Sequence, residues 1–193
     1  MWTIILTSAG IVALAEMGDK TQLLAIVLAT RFRQPWAVVA GILIATLANH
    51  GLAALAGASL AGLLDGPGFR YAVGASFIAM AVWTLVPDKL DYVEARPARF
   101  GALVATTVAF FLVEMGDKTQ VATVALAARF QDVLFVTLGT TLGMMLANAP
   151  AVWLGEALVK RVPMQLVHRI AAGLFLIIGV WLLLDTAGYS MGG

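Results

Sequence analysis

The heptapeptide Glu-Met-Gly-Asp-Lys-Thr-Gln occurs twice in this chain, at 16–22 and at 114–120, without a single change. The register of the repeat, 98 residues, extends beyond the motif: Arg31-Phe32 returns as Arg129-Phe130, and Val82-Trp83 as Val180-Trp181. Leu47-Ala48-Asn49 returns as Leu146-Ala147-Asn148, one residue later. Self-similarity at a fixed period marks one structural unit used twice, and here it covers nearly all of the 193 residues. The fold must therefore be one that two copies of a single unit can build.

Each unit is too apolar for water. The chain is 61% hydrophobic and 12% charged, with a mean hydropathy of +0.94, whereas a soluble domain carries about 25% charged residues. Apolar stretches at 2–29, 35–63, 71–86, 100–128, 133–158 and 165–185 are separated by polar, turn-forming segments rich in Gly, Pro and Arg. Most are long enough to cross a bilayer at 1.5 Å per residue. The expected fold class is an all-α membrane protein with six transmembrane helices. The first stretch lacks the basic region and small-residue cleavage site of a signal peptide and reads as a retained span. A net charge of +1 argues against nucleic acid as partner. The lack of cysteine excludes disulfides and thiolate metal sites.

Three spans per unit is an odd number, so the second copy must enter the membrane from the opposite side. The expectation is two inverted-topology three-helix repeats, 1–86 and 100–193, joined by a linker at 87–99, as in many secondary transporters. Cationic residues test the scheme. Arg31, Arg33, Lys89, Arg96, Arg99, Lys160, Arg161 and Arg169 fall on one side, and only Arg70 and Arg129 on the other. The positive-inside rule then makes the linker cytoplasmic and both termini extracytoplasmic.

The motifs fall near the middle of spans one and four. An ionisable group at that depth costs at least ~2.5–3.5 kcal/mol, so it must face the protein interior or a wet cavity and have a partner. The sequence sustains that cost three times in each motif. Read as continuous helix, Glu16, Asp19 and Lys20 stand at i, i+3 and i+4 on one face, and Glu114, Asp117 and Lys118 do likewise. Gly18 and Gly116 suit a local helix break. Thr21, Gln22, Thr119 and Gln120 add neutral oxygens, and Asn49 and Asn148, mid-span in helices two and five, could complete the shell. Brought together, Glu16, Asp19, Glu114 and Asp117 make an all-oxygen, carboxylate-rich site suited to a hard divalent cation such as Mn²⁺, Ca²⁺ or Mg²⁺. Lys20 and Lys118 can neutralise carboxylates when the cation is absent. Protons and metal would compete for the same groups, which is the minimal requirement for antiport.

The signature E-x-G-D-K-[ST], complete at Glu16, Gly18, Asp19, Lys20, Thr21 and again at Glu114, Gly116, Asp117, Lys118, Thr119, resembles that of the Gdt-type cation/proton exchangers. The resemblance covers essentially the whole chain. It implies transport of Mn²⁺ or Ca²⁺ in exchange for H⁺, the acidic motif residues holding the cation as substrate, with no cofactor. Eukaryotic members serve the Golgi and bacterial members export manganese. This chain carries neither a long N-terminal extension nor a large acidic central loop. Its 87–99 segment mixes Asp88, Asp91 and Glu94 with Lys89, Arg96 and Arg99. The lack of a targeting sequence fits the inner membrane of a bacterium.

Blander readings stand beside these. The motifs could be an ion-paired clasp through Glu16–Lys20 and Glu114–Lys118 at i,i+4, though that leaves both aspartates unexplained. His50 suits packing or tuning beside Asn49, and His168 an interfacial helix end. Glu156 and Lys160 suit an exposed pair; Trp36, Trp83, Trp153 and Trp181 suit packing or interface roles. Gly51, Gly57 and Gly62 suit close helix packing. Three other functions compete with exchange: a passive cation channel, an intramembrane metal-dependent hydrolase, and an exporter of organic solutes. A hydrolase would not need its site duplicated in opposite orientation.

Overall fold

The computed structural model describes residues 1–63, 66–86, 101–155 and 164–188. Among these every regular element is a helix: α1 (Trp2–Glu16), α2 (Lys20–Phe32), α3 (Pro35–Leu63), α4 (Pro67–Thr84), α5 (Ala102–Glu114), α6 (Lys118–Phe130), α7 (Val133–Leu154) and α8 (Met164–Thr186). Three stretches are long and apolar enough to cross a membrane, Pro35–Gly62, Val133–Leu154 and Gln165–Thr186; Trp2–Glu16 and Ala102–Glu114 are shorter apolar helices. The 87–99 linker, its charges, the cations Lys160 and Arg161 and the Glu156–Lys160 pair lie outside the described residues.

The first and fourth apolar stretches differ from the single spans expected of them. Each is two helices meeting at a motif. Met17 is extended (φ −63°, ψ 120°), Gly18 has φ +82°, and Asp19 is extended again (φ −80°, ψ 169°). Met115, Gly116 and Asp117 repeat the pattern with φ −66°, +80° and −81°. A positive φ near 80° is open to glycine and strained for other L-residues, so the glycine decides where the helix stops. The corresponding helices also end alike. Arg33 (φ 52°) and Gln131 (φ 53°) close α2 and α6 in the left-handed conformation.

The two halves pack crosswise. Helix α1 runs alongside α7 of the other half, and α5 alongside α3. These approaches use equivalent small residues. A Cβ on Gly41 would lie 2.7 Å from Thr106 Cβ, and a Cβ on Gly139 would lie 2.8 Å from Ser8 Cβ. Only glycine lets the backbones come this close. Helices α3 and α7 are antiparallel, with Trp36 and Trp153 in edge-to-face contact at 5.1 Å at one end and Gly51 opposite Thr137 further along. Gly57 meets the backbone of Val124 on α6, whereas Gly51 and Gly62 have no such tight neighbour, so only one of the three expected packing glycines is sterically required. Helices α4 and α8 form an antiparallel pair. A Cβ on Gly179 would sit 2.9 Å from Gly74 O, and Phe77 and Phe175 stack at 6.2 Å beside them.

Candidate metal centre

Breaking the helix at Gly18 changes what the motif spacing means. Glu16 ends α1 and Lys20 begins α2, with three non-helical residues between them. The single helical face expected for Glu16, Asp19 and Lys20, and for Glu114, Asp117 and Lys118, therefore does not exist. In its place Asp19 and Asp117 occupy the N-cap positions of α2 and α6, where the partial positive charge of a helix N-terminus favours a carboxylate. The break is held by the last motif residue. Gln22 Oε1 accepts the Gly18 N–H at 3.1 Å, and Gln120 Oε1 accepts the Gly116 N–H at 2.7 Å. Asp19 N–H reaches Glu16 O at 3.0 Å, and Asp117 N–H reaches Glu114 O at 3.1 Å. Gly, Asp and Gln at motif positions 3, 4 and 7 thus form one local device that turns the chain.

The two breaks meet at the centre of the bundle. Carboxylate oxygens of Glu16, Asp19 and Asp117, all buried, lie within 4.8 Å of one another. Glu114 is not in that group; its Oε2 accepts a hydrogen bond from Thr119 Oγ1 at 3.0 Å. The lysines cross between motifs. Lys20 Nζ meets Asp117 Oδ1 at 2.8 Å, and Lys118 Nζ meets Asp19 Oδ1 at 3.5 Å. A clasp within each motif, Glu16–Lys20 and Glu114–Lys118, is the blander reading; the ion pairs at 2.8 and 3.5 Å instead join the lysine of one motif to the aspartate of the other. Lys118 is 2% exposed and Lys20 31%. Two ammonium groups against four carboxylates leave the centre formally short of two positive charges.

Around the carboxylates the neutral groups fall into two kinds. Gln22 and Gln120 spend their amide oxygens on the glycine N–H groups, and their Nε2 atoms donate to Ala147 O and to Asn49 Oδ1, both at 2.9 Å. Asn49 Nδ2 in turn donates to Phe111 O at 3.0 Å, in the last turn of α5. Asn148 Nδ2 lies 3.4 Å from Glu16 Oε1 and 3.2 Å from Met144 O. By contrast Asn148 Oδ1, Thr21 Oγ1, Glu16 Oε2, Glu114 Oε1 and Asp117 Oδ2 are buried with no hydrogen-bond partner among the described residues. Buried oxygens left open in this way are costly unless a hydrogen-bond donor or a cation meets them.

His50 is buried one residue from Asn49, with no hydrogen bond at either ring nitrogen among the described residues. His168 does more than occupy an interfacial helix end. Its Nε2 donates to Met17 O at 3.0 Å, at the break of the first motif. Spacing gave only one hint of this contact: His168 stands 98 residues after Arg70, at the same place in the repeat.

The profile of the family described as "Divalent cation/proton antiporter GDT1" matches the chain twice, over residues 4–92 and 102–190. A Vibrio cholerae protein named "Putative manganese exporter" is 48% identical over 170 residues, 88% of this chain and 84% of that protein. A "GDT1-like protein" of Synechocystis is 27% identical over 191 residues, covering 88% of this chain and 91% of its own length. No solved structure matches significantly.

Proposed function

This chain belongs to the divalent cation/proton antiporter family GDT1, and we propose that it exports Mn²⁺, with Ca²⁺ as the alternative cargo, in exchange for H⁺. The reading fits a transporter of a bacterial inner membrane and not an enzyme. The observation that carries it is the gathering of Glu16, Asp19 and Asp117 from both motifs around one point, with the two lysines crossing between the motifs. Oxygen donors of this kind suit a hard divalent cation, which is substrate here and not a resident cofactor. Asn148 Oδ1, buried without a partner and attached to a residue touching Glu16, supplies a neutral ligand. Glu114 joins the shell or carries the proton once Thr119 releases it. A divalent cation would cancel the formal deficit of two charges at the centre, and so would two protons. That equivalence lets one replace the other without leaving bare charge in the membrane.

The topology proposed with it is two inverted three-helix units, 1–86 and 100–193, crossing the membrane six times. Spans one and four are each broken at mid-depth, and the 87–99 linker is cytoplasmic. The matched breaks and the antiparallel α3 and α7 support this arrangement. Broken helices that present their termini to a central ion site are a device of inverted-repeat transporters. Because the proton gradient runs inward, coupled exchange drives the metal outward.

Protein in liposomes loaded with a fluorescent Mn²⁺ indicator tests the reading. Mn²⁺ should move when a pH gradient is imposed, and Glu16→Gln should stop it. Undiminished flux in Glu16→Gln would discard the site. A flux indifferent to the gradient would make the protein a channel.

A further inference from the structure

The two halves share their backbone breaks and their cross-packing, but not the way α4 and α8 pack on them. Helix α8 lies along α1, and α4 lies along α6; among the described residues, α4 makes no comparable packing on α5, nor α8 on α2, although repeat symmetry makes those faces equivalent. Where α8 meets the first motif, His168 Nε2 donates to Met17 O at 3.0 Å. At the equivalent position of α4, Arg70 turns away and pairs with Asp185 on α8 at 3.1 Å. A cavity of about 420 Å³ stands beside it, lined by Arg70, Val73, Arg129, Phe130 and Leu182 among others. Met115, the repeat equivalent of Met17, is 56% exposed. The polar contacts differ in the same way: Glu16 has Asn148 while Thr21 Oγ1 has no partner among the described residues, and Glu114 has Thr119 while Asn49 turns to a backbone carbonyl.

We propose that His168 and Arg70 are alternating positioning residues, each latching one motif break in one of two conformations. Here His168 ties α8 to the Met17 carbonyl. In the opposite conformation Arg70 leaves Asp185 and donates to the Met115 carbonyl, and His168 releases Met17. The helix pair α4–α8 moves as one body, because glycine-to-backbone contact at Gly74 and Gly179 leaves no slack between its members. It exchanges the faces of α1 and α6 for those of α5 and α2. The motif halves on the other six helices stay cross-packed through Gly41–Thr106 and Gly139–Ser8. The exchange trades like for like: one donor on one break carbonyl, and one packed face for its repeat equivalent. Two packings of nearly equal energy are what alternating exposure of a central ion requires. The inference rests on the transport reading for its purpose but is tested without transport.

The chain has no cysteine, so introduced thiols react alone. Two double variants are made in membranes, Met17→Cys with His168→Cys and Arg70→Cys with Met115→Cys, and treated with a short bifunctional thiol reagent. Both pairs should cross-link, the first because His168 lies on the Met17 carbonyl here and the second because Arg70 reaches Met115 in the opposite conformation. His168→Ala added to the second pair should raise its cross-linking relative to the parent by about fivefold, the weight of one hydrogen bond; His168→Gln, which keeps an N–H donor, should not. If the Arg70–Met115 pair fails to cross-link with and without Mn²⁺ while the Met17–His168 pair succeeds, α4 never reaches the second motif and the latch is overturned. In that case Mn²⁺ flux in liposomes still stands for the function. Cross-linking of both pairs in a protein that moves no Mn²⁺ supports the latch and overturns the function instead.

Discussion

Helix α8 covers the break of the first motif, whereas the break of the second stands open at Met115 and Gly116. The three residues of the break, Met17 to Asp19 and Met115 to Asp117, take matching dihedral angles in both places, and the motifs meet different neighbours. Glu16 stands in the carboxylate cluster and is touched by Asn148; Glu114 stands outside it and is held by its own Thr119. The backbone of the motif is thus set locally, by glycine, aspartate and glutamine. What meets each glutamate differs: Glu16 is touched by a residue of the other half, and Glu114 by one of its own. A duplicated site need not be symmetric at any moment, and a carrier works by being unsymmetric in two alternate ways.

Substitutions can break or sharpen this contrast. The largest effect belongs to the glutamates. Glu16→Gln should abolish Mn²⁺ binding to the purified protein, measured by calorimetry, while Glu114→Gln stops transport but retains binding; equal losses of binding would mean that the resting protein does not distinguish the motifs. Next is Asn148→Leu, which removes the group touching Glu16 and should cost ~10–100-fold in Mn²⁺ affinity, the usual price of a lost supporting contact. Asn49→Leu should leave that affinity nearly unchanged, since Asn49 holds a backbone carbonyl and Gln120. Gln22→Leu should lower stability by about 1–3 kcal/mol through buried groups left unbonded. Gln120→Leu should cost less because its break is exposed; thermal unfolding in detergent reads both. Gly18→Ala and Gly116→Ala should each cost about 1–2 kcal/mol for the left-handed backbone, and here the two motifs should behave alike. The smallest effect is Asp132→Ala, worth ~1 kcal/mol, because Asp132 Oδ1 accepts Phe135 N–H at the start of α7.

Hydropathy and repetition made much of the architecture legible. The stretch 35–63 is the helix α3, and 165–185 falls within one residue of α8 at each end. These helices are long, apolar and bounded by proline, glycine or charge, which are signals carried along the chain. The motif was legible as a place, and the helix break as suited to Gly18 and Gly116, but the geometry beyond the break was not. Spacing assumes a continuous helix, and the assumption fails at Gly18 and Gly116, where a positive φ redirects everything after it. The pairing of Lys20 with Asp117 and of Lys118 with Asp19 follows from how the halves dock, and nothing in either heptapeptide encodes it. Gln22 and Gln120 offer amide oxygens that each accept a glycine N–H here, and an amide oxygen is the same group whether it faces a metal or a glycine N–H. His168 was placed at an interfacial helix end because a lone histidine gives no clue to a carbonyl 151 residues away.

The crosswise packing of α1 on α7 and α5 on α3 has a consequence for the chain as an assembly. Cut at the linker, neither half could fold by itself. Each would present the small-residue seam of Gly41 or Gly139 with nothing to close it, and an aspartate parted from the lysine of the other motif that pairs with it. The two fragments would be obligate partners, recognising each other by the fit of glycine against Thr106 and Ser8. Two co-expressed half-chains, parted between residues 86 and 101, should therefore rebuild the whole protein.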